Sequence, residues 1–456
     1  MDRRNAWKEY NEKELADLHE LNERYKTFLS ECKTERECVK GTIELAKQNG
    51  YRDLDEIIAG KETIHPGDRV YRQLMGKTVA LFQIGTLPLE EGMNILGAHI
   101  DSPRIDIKQN PLYEDVELAY LDTHYYGGIK KYQWVALPLA IHGVVAKKDG
   151  SVIDIVIGEK ENDPVLGITD ILPHLGQTQA EKKASNVIEG EDLNILIGSR
   201  PLGKTEKDAV KEQILQILKE QYSIEEEDFL SAELEVVPAG KARDYGLDRS
   251  MGYGQDDRVC AYTSLEALLD TEKSERTSVC LLVDKEEIGS VGATGMHSVF
   301  FENTVAEILD RMGVYSGLAV RRALQHSRML SSDVSAAFDP IYPSVMENGN
   351  CAYFGRGLTF NKFTGSRGKS GSNDANAEYM AHVRRVMDDH KVAFQTAELG
   401  KVDQGGGGTI AYISANYGME VIDSGVPVLS MHAPWEICSK ADIYEAKKGY
   451  MAFLSE

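Results

Sequence analysis

Five short clusters in this chain carry side chains suited to holding cations: His99 with Asp101 in GAHIDSP, Asp256 with Asp257 in GQDDR, Glu286 with Glu287 in VDKEEIGS, Asp333 in SSDVS, and His432 in SMHAP. Each follows an apolar run or precedes a helix start. Together they offer two imidazoles and several carboxylates, the donor mix that holds two zinc-like ions close together in hydrolases. Each cluster alone has a plainer explanation. A histidine after a strand is more often a packed or surface histidine, paired aspartates before a helix act as caps, and a Glu-Glu pair suits a solvated strand edge. Their recurrence at similar places in the chain favours the metal centre.

Those places must be built by strands and helices. Apolar runs of strand length occur in TVALFQIG, MNILGAHID, SVCLLVD, SSDVSAAF and VPVLSMHAP, bounded by Gly, Pro and charged residues. Helical text lies between them: DRVCAYTSLEALLD, FFENTVAEILDRM and a closing helix, with a pair of amphipathic helices over 8–48 (Trp7, Tyr10, Leu15, Leu18, Leu21, Tyr25, Phe28, Leu29). Such alternation predicts an α/β fold, a sheet with helices on both faces. In open sheets of this kind functional groups gather beyond the carboxyl ends of strands, where His99, Glu286, Glu287 and His432 are expected. The stretch from 105 to 242 reads differently. It holds a hairpin with a KKDG turn, an acidic middle from Glu159 to Asp192, a helix from Lys207 to Gln221 and the strand AELEVVPA. The expectation is a smaller β-rich domain, 105–242, inserted into a catalytic domain made of 1–104 and 243–456. The 456-residue length exceeds what one core supports.

Composition narrows the partners. Asp and Glu number 73 against 51 Lys and Arg, a formal charge of -22, which repels nucleic-acid backbones and anionic membranes. An acidic substrate would need a local Lys or Arg to reverse the sign of that field. The six cysteines form no Cys-x-x-Cys pair. No run of about 18 apolar residues occurs, and the N-terminal segment is charged throughout; a cytoplasmic protein with no nucleic-acid or membrane partner is expected. Other motifs fail. Gly368–Ser370 resembles the end of a phosphate loop, but Phe363 stands where its first glycine belongs; His19-Glu20 lacks the second zincin histidine at Glu23; and no Gly-x-Ser-x-Gly occurs.

In this order and at these separations, GAHIDSPR, GQDDR, DKEEIGS, SSDV and SMHAPWE resemble the M18 metallopeptidases, the aspartyl aminopeptidase family within the di-zinc exopeptidases, over nearly the whole chain. The branch most similar is the bacterial M18 family aminopeptidase 1. The resemblance implies a di-zinc exopeptidase-like αβα domain, with His99 and Asp333 on one ion, His432 and Glu287 on the other, and Asp256 bridging. It implies that Asp101 orients His99, and that Glu286 is the general base for a water shared by the ions. The ions would be two divalent metals, zinc first, with cobalt or manganese also compatible with His and carboxylate donors. Lys362, in LTFNKF, would meet an acidic substrate side chain. Lys131, in YYGGIKKYQW, stands near where relatives carry a histidine that reaches a partner subunit's site. SSDVSAAFDP lacks further histidines of aspartyl-specific relatives. The expected activity is hydrolysis of the N-terminal residue of peptides, acidic or neutral. The expected assembly is a homo-oligomer, a dodecamer by resemblance, with the hairpin around Gly143 to Ile157 at a subunit contact. Two other readings stay open: a non-catalytic oligomeric scaffold, and a di-metal phosphoesterase, which the negative field and the lack of a basic phosphate cradle disfavour.

Overall fold

A computed structural model describes residues 4–203, 207–272 and 274–456. The chain divides into two compact units, one of 1–101, 242–431 and 436–456, the other of 102–241 with 432–435. The insertion expected at 105–242 thus compares with a unit beginning at Ser102 and ending at Lys241. The segment His432–Trp435 joins it because the His432 ring bonds the Gly128 carbonyl.

In the larger unit, nine strands form one sheet in the order Arg52–Asp53, Arg69–Leu74, Thr78–Gln83, Thr277–Val283, Met93–His99, Arg328–Ser331, Glu420–Gly425, Leu358–Asn361 and Phe394–Thr396. Its four central strands, from Thr277–Val283 through Glu420–Gly425, are mutually parallel. They are near-continuous apolar text because both faces are covered. Alternation sorts the side chains. Val79, Leu81, Leu96, Ala98, Cys280 and Leu282 pack on one face, and Ala80, Phe82, Met93, Ile95, Val279 and Leu281 on the other.

Helices close both faces. Glu12–Glu31 and Glu35–Gln48 each begin with a capping box, Asn11 with Glu14 and Thr34 with Glu37, which satisfies amide donors at both starts. They bury Tyr25, Phe28, Cys38 and Val39 with helices Gln255–Asp270, Ala377–Asp389 and Lys440–Leu454. Helices Leu54–Gly60, Phe300–Arg311 and Gly317–Gln325 cover the opposite face. The expected αβα layering is present. One expected strand is not continuous: SSDVSAAF contains the end of Arg328–Ser331 and a separate strand Ser335–Ala336, with Asp333 in the break. The second piece has left the large sheet for a five-stranded one, pairing with Pro427–Leu429.

The smaller unit is built on a six-stranded sheet, ordered Val152–Ile157, Leu139–Ala146, Ala232–Pro238, Arg104–Asp115, Leu118–Tyr126 and Ile195–Gly198. The hairpin read around KKDG joins the first two, and the helix expected from Lys207 spans Ala209–Tyr222.

Candidate metal centre

Parallel pairing brings three chain segments to one sheet edge. His99 ends its strand opposite Val283, and Ser331 lies opposite Gly97; Asp284 to Glu287 and Ser332–Asp333 therefore emerge on either side of His99. Ser332 N donates to Gly97 O at 2.6 Å, fastening the exit. Gly425 is needed beside it, because a Cβ there would stand 1.9 Å from the Asp333 carbonyl oxygen.

His99 is buried, with Nδ1 3.0 Å from the Asp101 carbonyl oxygen and 3.3 Å from Asp101 Oδ1. That contact places the ring proton on Nδ1 and leaves Nε2 as the donor atom for a cation. Nε2 lies 3.2 Å from Asp256 Oδ1 and 3.9 Å from Glu286 Oε2. One donor atom each from His99, Asp256 and Asp333 lie within 4.8 Å of one another, as do donors from His99, Glu286 and Glu287.

The carboxylates are positioned by backbone as much as by side chain. Asp101 is fully buried and accepts Glu286 N through Oδ1 at 3.1 Å and Glu287 N through Oδ2 at 3.2 Å. It therefore orients the histidine and anchors the 3-10 turn Glu286–Ile288. Asp256 and Asp257 share a cis peptide bond and keep non-helical backbone ahead of the regular helix; Asp256 N donates to Glu436 Oε2 at 3.0 Å.

The electrostatics call for a cation. Burial pushes the Asp257 carboxyl well above its ordinary range, with the Asp256 charge adding to it and His99 opposing. Asp333 is raised by burial and then by Asp257, Glu286 and Asp256. Burial alone would lower His99, but hydrogen bonds to Asp101 and Asp256 and the charges of Glu286 and Asp257 carry it well above the usual imidazole range. Without metal the cluster holds protons; a divalent cation would replace them and relieve the repulsion. Mixed imidazole and carboxylate donors at this spacing suit zinc.

The other residues expected from the sequence are His432, Lys131 and Lys362. His432, in the left-handed region at φ 63°, has Nδ1 3.0 Å from Gly128 O, which fixes its ring with Nε2 outward from that bond. Lys131 begins a 3-10 turn of the smaller unit, its ammonium 5.7 Å from the Tyr125 ring centroid. Lys362 follows a strand antiparallel to Glu420–Gly425, so the strand-end rule that gathers the ligands does not place it beside them; its ammonium is 2.5 Å from Asp374 Oδ1. Glu436 and Gly425 escaped the sequence reading. Glu436 sat inside the quoted SMHAPWE, but a carboxylate that holds an amide leaves no pattern, and neither does a glycine needed for close approach.

A family model described as aminopeptidase I zinc metalloprotease (M18) matches residues 28–454. A relative called probable M18 family aminopeptidase 1, from Clostridium acetobutylicum, is 64% identical over 455 residues, covering 99% of this chain and 98% of its own. The crystal structure of an M18 family aminopeptidase from Thermotoga maritima superposes with a TM-score of 0.95 at 43% identity, covering 100% of this chain and 99% of that one. More distantly, a dodecamer of S. cerevisiae mApe1 shares the fold, with a TM-score of 0.75 at 20% identity over 94% of this chain and 95% of that one.

Proposed function

Since the chain belongs to the aminopeptidase I zinc metalloprotease family, M18, and is a metallo-aminopeptidase, we propose that it cleaves N-terminal residues from peptides with Glu286 as general base. The observation that carries this is the convergence of His99, Asp333, Glu286 and Glu287, which follow the ends of parallel strands, with Asp256 from the start of Gln255–Asp270, donor atoms within ligand reach. His99 and Asp333 would hold one ion and Glu287 and His432 the second, with Asp256 shared. When bound, the ions supply Lewis acidity, activating water and polarising the scissile carbonyl.

The chain's own residues do the rest. Asp101 keeps His99 Nδ1–H engaged and presents Nε2 to the ion. It also fixes the amides of Glu286 and Glu287; the division of tasks between them, Glu287 on the metal and Glu286 as base, follows the family likeness. Glu286, its side chain 14% exposed, takes the proton from the attacking water and delivers it to the departing amine. A partly desolvated carboxylate suits that exchange.

Lys362 is the cation proposed for an acidic N-terminal side chain, and its ion pair with Asp374 is the competition a substrate carboxylate must overcome. Lys131 is proposed near a neighbouring subunit's site. The strand Val152–Ile157 is the edge of its sheet, with Val152 and Val156 exposed; such an edge invites pairing with another copy and supports a homo-oligomer, dodecameric by family likeness. All six cysteines are free and buried, which fits a reducing, cytoplasmic setting. Among the described residues no helix is long and apolar enough to cross a membrane.

The test is hydrolysis of acidic and neutral aminoacyl p-nitroanilides by protein stripped with chelator and then restored with zinc, cobalt or manganese. Restored cleavage supports the proposal, and the acidic-to-neutral ratio reports on Lys362. Persistent inactivity with every metal would favour the scaffold reading, and cleavage of p-nitrophenyl phosphate alone the phosphoesterase.

A further inference from the structure

The turn that carries Glu286 and Glu287 has left-handed residues at both ends, Lys285 at φ 68° and Gly289 at φ 96°. Glycine takes that conformation freely, whereas a lysine is strained in it and needs support from elsewhere. Lys285 has that support. Its ammonium lies 2.6 Å from Asp284 Oδ2 and 3.0 Å from Thr294 Oγ1, and the Thr294 hydroxyl donates to the same Asp284 oxygen at 2.6 Å. Asp284 and Thr294 are buried. The backbone repeats the closure: Asp284 N donates to Thr294 O at 3.2 Å, and the Thr78 hydroxyl donates to that carbonyl as well. The lysine stem passes Gly292, where a Cβ would stand 3.1 Å from its Cδ and 3.2 Å from its Cε.

We propose that Lys285 is a positioning residue for Glu286: the closed triangle of Lys285, Asp284 and Thr294 locks the 284–294 loop and so fixes the turn that presents the two glutamates. The proposal rests on the reading of Glu286 as general base. Asp101 holds the Glu286 and Glu287 amides, and the triangle holds the residue immediately before them. With the turn pinned at both places, Glu286 keeps one orientation toward the attacking water.

The test compares Lys285→Gly, Lys285→Arg and Thr294→Val with wild type and Glu286→Gln, measuring kcat and KM on an aminoacyl p-nitroanilide, zinc per chain and melting temperature. Lys285→Gly is expected to lower kcat about 10- to 100-fold, the cost of misplacing a catalytic group, with KM, zinc content and melting close to wild type. Lys285→Arg should recover most of kcat. A role confined to backbone conformation predicts the reverse, because glycine relieves the strain; a fully active Lys285→Gly would overturn the proposal. A loss of kcat that tracks lost zinc or a lowered melting temperature would overturn it too. If Lys285→Gly does not fold, Thr294→Val decides, since it keeps the Lys285–Asp284 pair and removes the other two sides of the triangle: reduced kcat at constant KM supports the proposal and wild-type kcat overturns it. If Glu286→Gln stays fully active, the base assignment falls and this proposal with it. An inactive Glu286→Gln beside a fully active Lys285→Gly removes only the latter.

Discussion

At His99 and its neighbours, proton and metal compete for the same atoms. The Asp101 and Asp256 hydrogen bonds overcome burial and raise the imidazole well above its ordinary value, so the metal-free protein keeps a proton that zinc must displace. The folded-state proton is held below that raised pKa and released above it; zinc affinity should therefore strengthen as pH rises through neutrality. Titrations of chelator-stripped protein between pH 6 and 8 are expected to show tighter binding and proton release at the higher values, and a pH-independent affinity would contradict the charge balance described here. The candidate donors stood out in the sequence because the chemistry restricts them to imidazole and carboxylate. Lys362 stood out less, since its ion pair with Asp374, twelve positions further on, depends on a loop that sequence patterns do not resolve.

Strands and their spacing decide whether those side chains meet. Gly425 has no chemistry of its own, yet any Cβ at that position meets the Asp333 backbone at 1.9 Å. Gly425→Ala is predicted to displace Asp333 and weaken zinc binding by about 10-fold or more, in the range seen when ligand-supporting groups are lost; unchanged affinity on calorimetric titration would remove Gly425 from the site's architecture. On the same strand, Asp423 is fully buried and burial pushes its carboxyl up to about 7, with the Thr409 and Ser331 hydroxyls acting in the other direction. The unfolded value is about 3.9. Its folded pKa is thus raised, so its contribution to stability is complete below the unfolded pKa and is lost as pH rises through about 7. The melting temperature of wild type should fall relative to that of Asp423→Asn across this window by a few degrees, and parallel melting curves would contradict the shift. At this scale the parallel strands were readable as apolar runs. The split of SSDVSAAF was not, because alternation cannot show that a strand changes sheets at Asp333. The helix Ala377–Asp389 was overlooked although Tyr379, Val383, Val386 and Met387 repeat at helical spacing behind the Asn376 cap.

The whole molecule carries a formal charge of -22; that field attracts the protonated α-amine of a substrate with a neutral side chain, whereas in an aspartyl or glutamyl substrate the side-chain carboxylate cancels the attraction. Added salt screens it, so kcat/KM for an aminoacyl p-nitroanilide with a neutral side chain should fall between low and physiological ionic strength while that for an aspartyl or glutamyl one, net neutral, stays flat; identical salt responses would show that long-range charge does not reach the site. Length and the change of text near residue 105 are what raise the expectation of two domains, whereas the grouping of His432–Trp435 with 102–241 goes with a contact 304 residues apart in sequence. The central claim is that Glu286 does acid–base work beside ions held by its neighbours. It is tested most directly by preparing Glu286→Gln with zinc, counting zinc per chain and measuring turnover beside wild type. The prediction is unchanged zinc with turnover reduced by about 10²- to 10⁴-fold; zinc-loaded Glu286→Gln that turns over at the wild-type rate would contradict it.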